Sequence, residues 1–148
     1  MRYLLDVNVL VALAFGEHTL SAQAHSWYTG VRDRLWATCP LTQGGFLRVA
    51  SRALGGGPQA VREALAGLER DCRSPLHEYW SADIDMRNLT ASQRGRLIGH
   101  NQVTDKQLLM LATRHKGQLV TFDTGLGQLA TATGYSESVI VLPALTAS

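Results

Sequence analysis

Residues 3–14 of the chain read YLLDVNVLVALA. Three apolar or aromatic residues run directly into a carboxylate, Asp6, and a long apolar segment follows. Such a short apolar run predicts a buried parallel strand with Asp6 at its carboxyl end. Ligands of open α/β sheets bind at this end of the strands. Asp6 therefore either only caps the helix that follows or also belongs to a binding site, and Asn8 can serve the same two purposes.

The same arrangement returns near the end of the chain. Residues 118–123 read QLVTFD, a second apolar strand that finishes in a carboxylate, Asp123. Before it, Asp105 lies in the predicted first turn of a helix, where the helix dipole favours a negative side chain. In a parallel sheet, Asp6, Asp105 and Asp123 can all converge at one edge. The repetition favours a binding site over three unrelated helix caps.

Strand and helix patterns alternate along the chain. They predict a single domain over residues 1–148, an α/β fold built as a three-layer α/β/α sandwich with a short parallel central sheet. The predicted strands are 3–5, 35–38, 76–80, 118–123 and 138–142. The predicted helices are 7–15, 19 or 21 to about 31, 40–53, 59–72, 104 to an end at Gly117, and 126–131. Residues 81–94 are predicted as a polar helical segment and residues 95–103 as a loop.

Length and composition limit the class of protein. A chain of 148 residues with 45% hydrophobic residues can bury a real core. No apolar run is long enough to cross a membrane, and the first residues do not have the layout of a signal peptide, so we expect a cytoplasmic protein. Two cysteines, Cys39 and Cys72, make no disulfide framework or zinc spacing, and we expect small buried or half-buried thiols. A net charge of +2 permits binding to nucleic acid without requiring it.

The acids define the chemistry that we expect. Clustered carboxylates raise one another's pKa unless a cation neutralises them, and oxygen-only ligation suits Mg²⁺ or Mn²⁺. Such a site can polarise a phosphodiester and lower the pKa of an attacking water. The sequence contains no GxSxG nucleophile motif, no phosphate-binding GxxxxGK[ST] loop and no GxGxxG motif. The spacing of the acids therefore predicts metal-dependent phosphodiester chemistry.

Four blocks of sequence resemble a known family. They are LLDVNVL at residues 4–10, CPLTQGGFLRV at 39–49, VTDKQLL at 103–109 and LVTFD at 119–123. In this order they are similar to the PIN-domain ribonucleases, and specifically to the VapC-type toxins of bacterial toxin–antitoxin pairs. The resemblance covers nearly the whole chain and is most specific in the first and third blocks.

The resemblance implies a function and its residues. It implies an endoribonuclease that depends on Mg²⁺ or Mn²⁺, cuts structured RNA such as tRNA or rRNA, and is silenced by a VapB-type antitoxin; it also implies a homodimer. Asp6, Asp105 and Asp123 match the family's catalytic, metal-binding acids. Asn8 and Thr121 match the polar residues that support them.

The chain departs from the family pattern at one position. Many members have a Glu in the helix that here reads TQGGF at residues 42–46; either Gln43, which offers a carbonyl oxygen but no charge, takes its place, or the chain has no equivalent. Glu17, Asp83 or Asp85 could supply the missing acid, although no spacing argument favours any of them. If Gln43 weakens catalysis, the alternative is an RNA- or partner-binding module on a PIN scaffold. A phosphatase of the haloacid-dehalogenase type is disfavoured, because Asn8 stands where that class needs a second Asp.

Further residues are candidates for contacts with RNA. Arg48 and Arg52 are four positions apart on the predicted helix 40–53, so both can face RNA phosphates, and His100 precedes Asp105 closely enough to touch a substrate. Isolated solvent-exposed side chains are the alternative for all three. In the same helix, the pair Gly44 and Gly45 is costly for helix stability, which predicts the close approach of another helix or a ligand.

Overall fold

A five-stranded parallel sheet forms the centre of the computed structural model, which describes residues 1–97 and 99–144. The strands follow the order β3-β2-β1-β4-β5 across the sheet. Their bounds are β1 Arg2–Leu5, β2 Leu35–Thr38, β3 His77–Tyr79, β4 Gln118–Thr121 and β5 Val139–Val141. Leu4 pairs with Ala37 on one side and with Leu119 on the other, and all three side chains are fully buried. The central strand, β1, therefore carries Asp6 to the middle of the sheet's carboxyl edge.

Helices cover both faces of the sheet. Their bounds are α1 Val7–Ala14, α2 Ser21–Gly30, α3 Pro40–Ala53, α4 Pro58–Cys72, α5 Ala91–Gly95, α6 Gln102–Arg114 and α7 Thr124–Thr133. Short 3₁₀ turns lie at Met86–Asn88 and Ser136–Ser138. One core contains residues of α1 to α4 and a second contains residues of α6 and α7, with strand residues in both. The predicted three-layer α/β/α sandwich with a short parallel central sheet is confirmed.

Close packing of α3 against α1 explains one of the paired glycines. A Cβ atom added at Gly45 would collide with the side chain of Val7, whereas one at Gly44 would meet only the Arg48 guanidinium at 3.5 Å. The absence of a side chain at Gly45 thus lets the first turns of α3 and α1 touch. The predicted close approach is confirmed at Gly45, and it brings the start of α3 next to Asp6.

The end of α6 differs from the prediction. The helix stops at Arg114, and the residue with a positive φ angle is Lys116, at 54°, not Gly117. A Cβ atom at Gly117 would lie 2.6 Å from the carbonyl oxygen of Arg2 and 2.8 Å from the Trp80 ring. Glycine is needed there for packing rather than for helix termination.

The least periodic part of the sequence also departs from the prediction. The segment predicted as one polar helix is a 3₁₀ turn followed by the five-residue helix α5. Helix α6 begins at Gln102, two residues before the predicted start, and its N-cap residue Asn101 makes no side-chain capping bond. Among the described residues, no helix is both long and apolar enough to cross a membrane. Cys39 is a buried free thiol and Cys72 a half-buried one, as expected.

Candidate active site

Two of the three acids follow strands at the carboxyl edge of the sheet, as predicted. Asp6 comes directly after β1, and its amide continues the ladder by donating to the carbonyl oxygen of Val120, at 2.9 Å. Its Oδ1 accepts from the amide of Val7 and so caps α1. Asp123 caps α7 in the same way, with Oδ1 accepting from the amides of Gly125 and Leu126. Each acid is a helix cap, and each caps through Oδ1 alone.

Thr121 joins these acids into one hydrogen-bonded unit. Its buried hydroxyl donates to Asp6 Oδ2 at 2.6 Å, and its oxygen accepts from the amide of Asp123 at 3.0 Å and from Asn8 Nδ2 at 3.3 Å. Asn8 Oδ1 in turn accepts from the amide of Phe122, at 3.2 Å. The one hydroxyl proton and both oxygen lone pairs are used, so the orientation of Asp6 is fixed. The structure thus places Asn8 and Thr121 beside the acids.

Asp105 approaches the other two acids from α6. Its side chain is partly buried, and no hydrogen bond to its carboxylate is recorded among the described residues. Burial, followed by the negative charges of Asp123 and Asp6, raises the pKa of the Asp105 carboxyl to about 6. Burial is also the main cause that raises the pKa of Asp6, against the hydrogen bond from Thr121, which lowers it. The structure therefore brings the three predicted acids close enough to repel one another.

These donors fit a hard divalent cation in their chemistry. All are oxygens, and a bound Mg²⁺ or Mn²⁺ would relieve the repulsion that, after burial, raises the pKa of Asp105. Within residues 1–97 and 99–144, however, no three His, Cys, Asp or Glu side chains are already gathered into a metal-binding group. A cation would therefore have to draw the carboxylates closer together.

Gln43 lies in the first turn of α3, at the same edge of the sheet, and its amide is held by a neighbouring strand. Gln43 Nε2 donates to the hydroxyl oxygen of Thr38 at 3.0 Å. Thr38 is the last residue of β2 and is fully buried. The structure thus connects Gln43 to β2 and records no contact between Gln43 and the three acids among the described residues.

The other acids proposed in its place have partners elsewhere or lie exposed. Asp83 forms an ion pair with Arg114 at 3.0 Å, and Asp85 forms one with Arg87 at 2.7 Å. Glu17 is exposed in the turn after α1. The structure thus gives no support to Asp83 or Asp85 as the missing acid.

The candidate RNA contacts are on the surface. Arg48, Arg52 and His100 are all exposed. Arg48 folds back along α3, and its guanidinium lies beside Gly44 in the first half of the helix. Contacts of these three residues with RNA stay predictions.

Sequence reasoning did not predict the surroundings of three polar residues near the site. His77 bonds to Thr38 from the edge strand β3, and Lys106, next to Asp105, is fully buried with its Nζ lying 3.9 Å from the centre of the Tyr135 ring. Thr38 ends a strand at the carboxyl edge, as Asp6 does, so the rule that found the acids could have found it. His77 and Lys106 carried no signal in the sequence, because only the packing of distant segments shows their surroundings.

Comparison with known proteins identifies the family of the chain. The sequence model of the PIN domain family matches residues 3–132. The chain is 42% identical over 130 residues to ribonuclease VapC44 of Mycobacterium tuberculosis, which covers 88% of this chain and 92% of that protein. Ribonucleases VapC39 and VapC29 of the same species are 37% identical over 133 residues and 35% identical over 146 residues, covering 89% and 99% of this chain and 96% and 100% of theirs. The chain belongs to the PIN-domain family, among relatives named ribonuclease VapC.

Proposed function

We propose that the chain is an endoribonuclease dependent on Mg²⁺ or Mn²⁺ that acts in the cytoplasm as the toxin of a type II toxin–antitoxin pair and cleaves structured RNA, a tRNA or an rRNA. The observation that carries the proposal is Asp105, a partly buried carboxylate that faces Asp6 and Asp123 with a pKa raised to about 6. A fold gains nothing from three acids that repel one another, so this arrangement is typical of a cation site. The names of the relatives supply the reaction class.

The residues of the chain have separate tasks in this mechanism. A divalent cation held by Asp6, Asp105 and Asp123 would supply Lewis-acid polarisation of the phosphodiester and would lower the pKa of the attacking water. Thr121 and the amide of Val7 hold the Asp6 carboxylate in one orientation, and Asp123 is fixed through its Oδ1. Asp105 contributes the one carboxylate of the three that no described residue already engages. Arg48 adds a positive charge in the first half of α3, where it would meet RNA phosphates.

Cleavage of total RNA tests the proposal. The purified protein is incubated with cellular RNA in Mg²⁺, in Mn²⁺ and in EDTA, beside Asp105→Asn and a matched control, Asp83→Asn, which removes an exposed carboxylate paired with Arg114. We expect discrete fragments that require metal, vanish with Asp105→Asn and persist with Asp83→Asn. Mapping the fragment ends identifies the RNA and the bond.

The alternative is the outcome in which nothing is cut. If the folded protein, free of any antitoxin, cleaves no RNA in either metal, the uncharged Gln43 becomes decisive and the chain is better described as a binding module on a PIN scaffold. Cleavage by Asp105→Asn at the wild-type rate would instead show that the acids are not the active site.

A VapB-type antitoxin and a second copy of the chain are the proposed protein partners. An apolar groove of about 650 Å³ supports a protein partner; its lining includes Leu10, Leu13, Trp36, Phe46 and Leu68. Co-purification with the product of a short neighbouring gene tests the first partner, and light scattering of the isolated chain tests the homodimer. Failure of co-expression to suppress RNA cleavage would contradict the antitoxin proposal.

A further inference from the structure

Lys106 is a buried cation that directly follows Asp105 on α6, and the proposed mechanism does not use it. Its side chain is fully buried, and its Nζ has no hydrogen-bond partner among the described residues. The ammonium lies instead over the ring of Tyr135, 3.9 Å from the ring centre. A buried charge without a hydrogen-bond partner is costly, and a cation held over an aromatic ring recovers part of that cost. The Tyr135 ring therefore compensates the ammonium of Lys106.

Tyr135 is itself anchored to the helix that Asp123 caps. It follows α7 closely, and its amide donates to the carbonyl oxygen of Ala130, in the last turn of that helix, at 2.7 Å. The ring of Tyr135 packs against the core that contains residues of α6 and α7. The contact between Lys106 and Tyr135 therefore links two helices. One of them, α6, carries Asp105, and the other, α7, begins after Asp123.

This link opposes a repulsion between the two helices. The negative charge of Asp123 acts on Asp105, and like charges push the start of α6 away from the start of α7. The N-cap residue of α6, Asn101, makes no side-chain capping bond that would restrain this end of the helix. The ammonium of Lys106, drawn to the Tyr135 ring, pulls the start of α6 in the direction that the repulsion resists.

We propose that Tyr135 is a positioning residue: its ring keeps the Lys106 ammonium inside the protein and thereby holds Asp105 beside the other two acids. Without the ring, the ammonium would be buried with no compensating group. The long lysine side chain would then turn out to water and draw the start of α6 with it. This inference rests on the proposed function, because the place of Asp105 matters only if the acids hold a divalent cation.

The affinity of the RNA-free protein for Mn²⁺, measured by electron paramagnetic resonance at about pH 7, tests the proposal without relying on activity. Tyr135→Leu removes the ring, and we expect about tenfold weaker binding of Mn²⁺, the usual effect of losing a residue that orients a ligand. Tyr135→Phe keeps the ring and loses only the hydroxyl, which accepts from Gln93 Nε2 at 3.1 Å, so it should keep most of the affinity. Leu68→Ala is the control for lost stability, because it opens a cavity in the other core and should leave Mn²⁺ binding unchanged.

Removing the ammonium separates positioning from a general loss of packing. Lys106→Met has no charge to compensate, so it should bind Mn²⁺ about as tightly as the wild type, and Tyr135→Leu should cost little affinity in this background. The proposal is overturned by wild-type affinity of Tyr135→Leu, by equal losses from Tyr135→Phe and Tyr135→Leu, or by the same loss from Tyr135→Leu in both backgrounds. If Tyr135→Leu does not fold, Tyr135→Met also removes the ring and should give the same loss and the same suppression by Lys106→Met.

Hydrogen exchange in EDTA measures the position of α6 apart from the metal. The amides of residues 106–109 close the first hydrogen-bonded turns of α6, so they should exchange faster in Tyr135→Leu than in the wild type or Tyr135→Phe. Unchanged exchange at these amides would contradict the positioning role.

Failure of the proposed function gives a different pattern. A wild-type protein that binds Mn²⁺ and loses affinity with Tyr135→Leu, yet cleaves no RNA, refutes the nuclease and leaves the positioning role in place. A wild-type protein that binds no Mn²⁺ overturns both.

Discussion

Replacing Asp105 with Asn should make the metal-free protein more stable above pH 6. The wild-type carboxyl has a pKa raised from 3.8 to about 6 by burial and by the charges of Asp123 and Asp6. Between about pH 4 and pH 6 the folded protein keeps a proton that the unfolded chain has released, so wild-type stability falls as the pH rises. Above pH 6 the carboxyl is charged in both states and the penalty is complete. Asparagine carries no such penalty at any pH.

The size of the gain follows from the pKa. A change from 3.8 to about 6 corresponds to about 3 kcal/mol, at about 1.4 kcal/mol per pH unit. Asp105 is only partly buried, so water screens the repulsion and reduces this figure to about half. Loss of a negative charge from the first turn of α6 costs about 0.5 kcal/mol in the opposite direction. The net gain is about 1 kcal/mol, or a Tm about 3 °C higher for a domain of this size.

Thermal denaturation in EDTA at about pH 8 and about pH 4 measures this effect. Asp105→Asn should melt above the wild type at the higher pH, and the difference should shrink to well under half at the lower pH. Saturating Mn²⁺ should reverse the order, because only the wild type has the full set of ligands. Asp85→Asn is the control: Arg87 lowers the pKa of that exposed carboxyl, so its loss should not stabilise the protein. A gain of the same size at both pH values would refute the argument from the raised pKa of Asp105.

Two other substitutions test the packing around the site. Gly45→Ala should lower the free energy of unfolding by about 1–3 kcal/mol, because its Cβ collides with Val7, whereas Gly44→Ala should raise it by about 0.5–1 kcal/mol. Urea denaturation of the two variants measures both changes. Equal effects of the two substitutions would contradict the contact between Gly45 and Val7. Lys106→Met should raise the Tm at pH 7, since burial lowers the pKa of the ammonium to about 8, and its Nζ lies over the Tyr135 ring without a hydrogen-bond partner among the described residues. Folded Lys106 loses its proton above pH 8, so this advantage should decline there, and an advantage independent of pH would point to packing instead.

The strand-end acids could be predicted from the sequence because their signal is local. Asp6 and Asp123 each follow an apolar run that the sheet buries on both faces, and such runs have no other common explanation. The bounds of α3 were equally accessible, since Pro40 can begin a helix and a glycine-rich stretch follows Leu54. The start of α6 was not, because Asn101 caps it without a side-chain hydrogen bond and Thr104 gave a misleading start signal.

Features that depend on contacts between distant segments of the chain could not be predicted from the sequence. Gly117 has the residue type of a helix end, yet Lys116 adopts the left-handed conformation and Gly117 is there for the carbonyl of Arg2. Likewise His77 is 39 positions away from Thr38, and no periodicity links them. Local patterns therefore located the acids, while the polar support of the site depended on which strands the topology makes neighbours.

The charge of the site argues for one cation in the absence of RNA. Asp83 and Asp85 are paired with arginines, whereas the charges of Asp6 and Asp123 act on Asp105. Three carboxylates and one divalent cation leave one net negative charge, whereas three carboxylates and two cations would leave one net positive charge. A glutamate at position 43 would remove that excess, and Gln43 does not. We therefore expect a second cation to bind only together with the phosphate oxygens of an RNA, so that the substrate completes a site that this chain leaves one charge short.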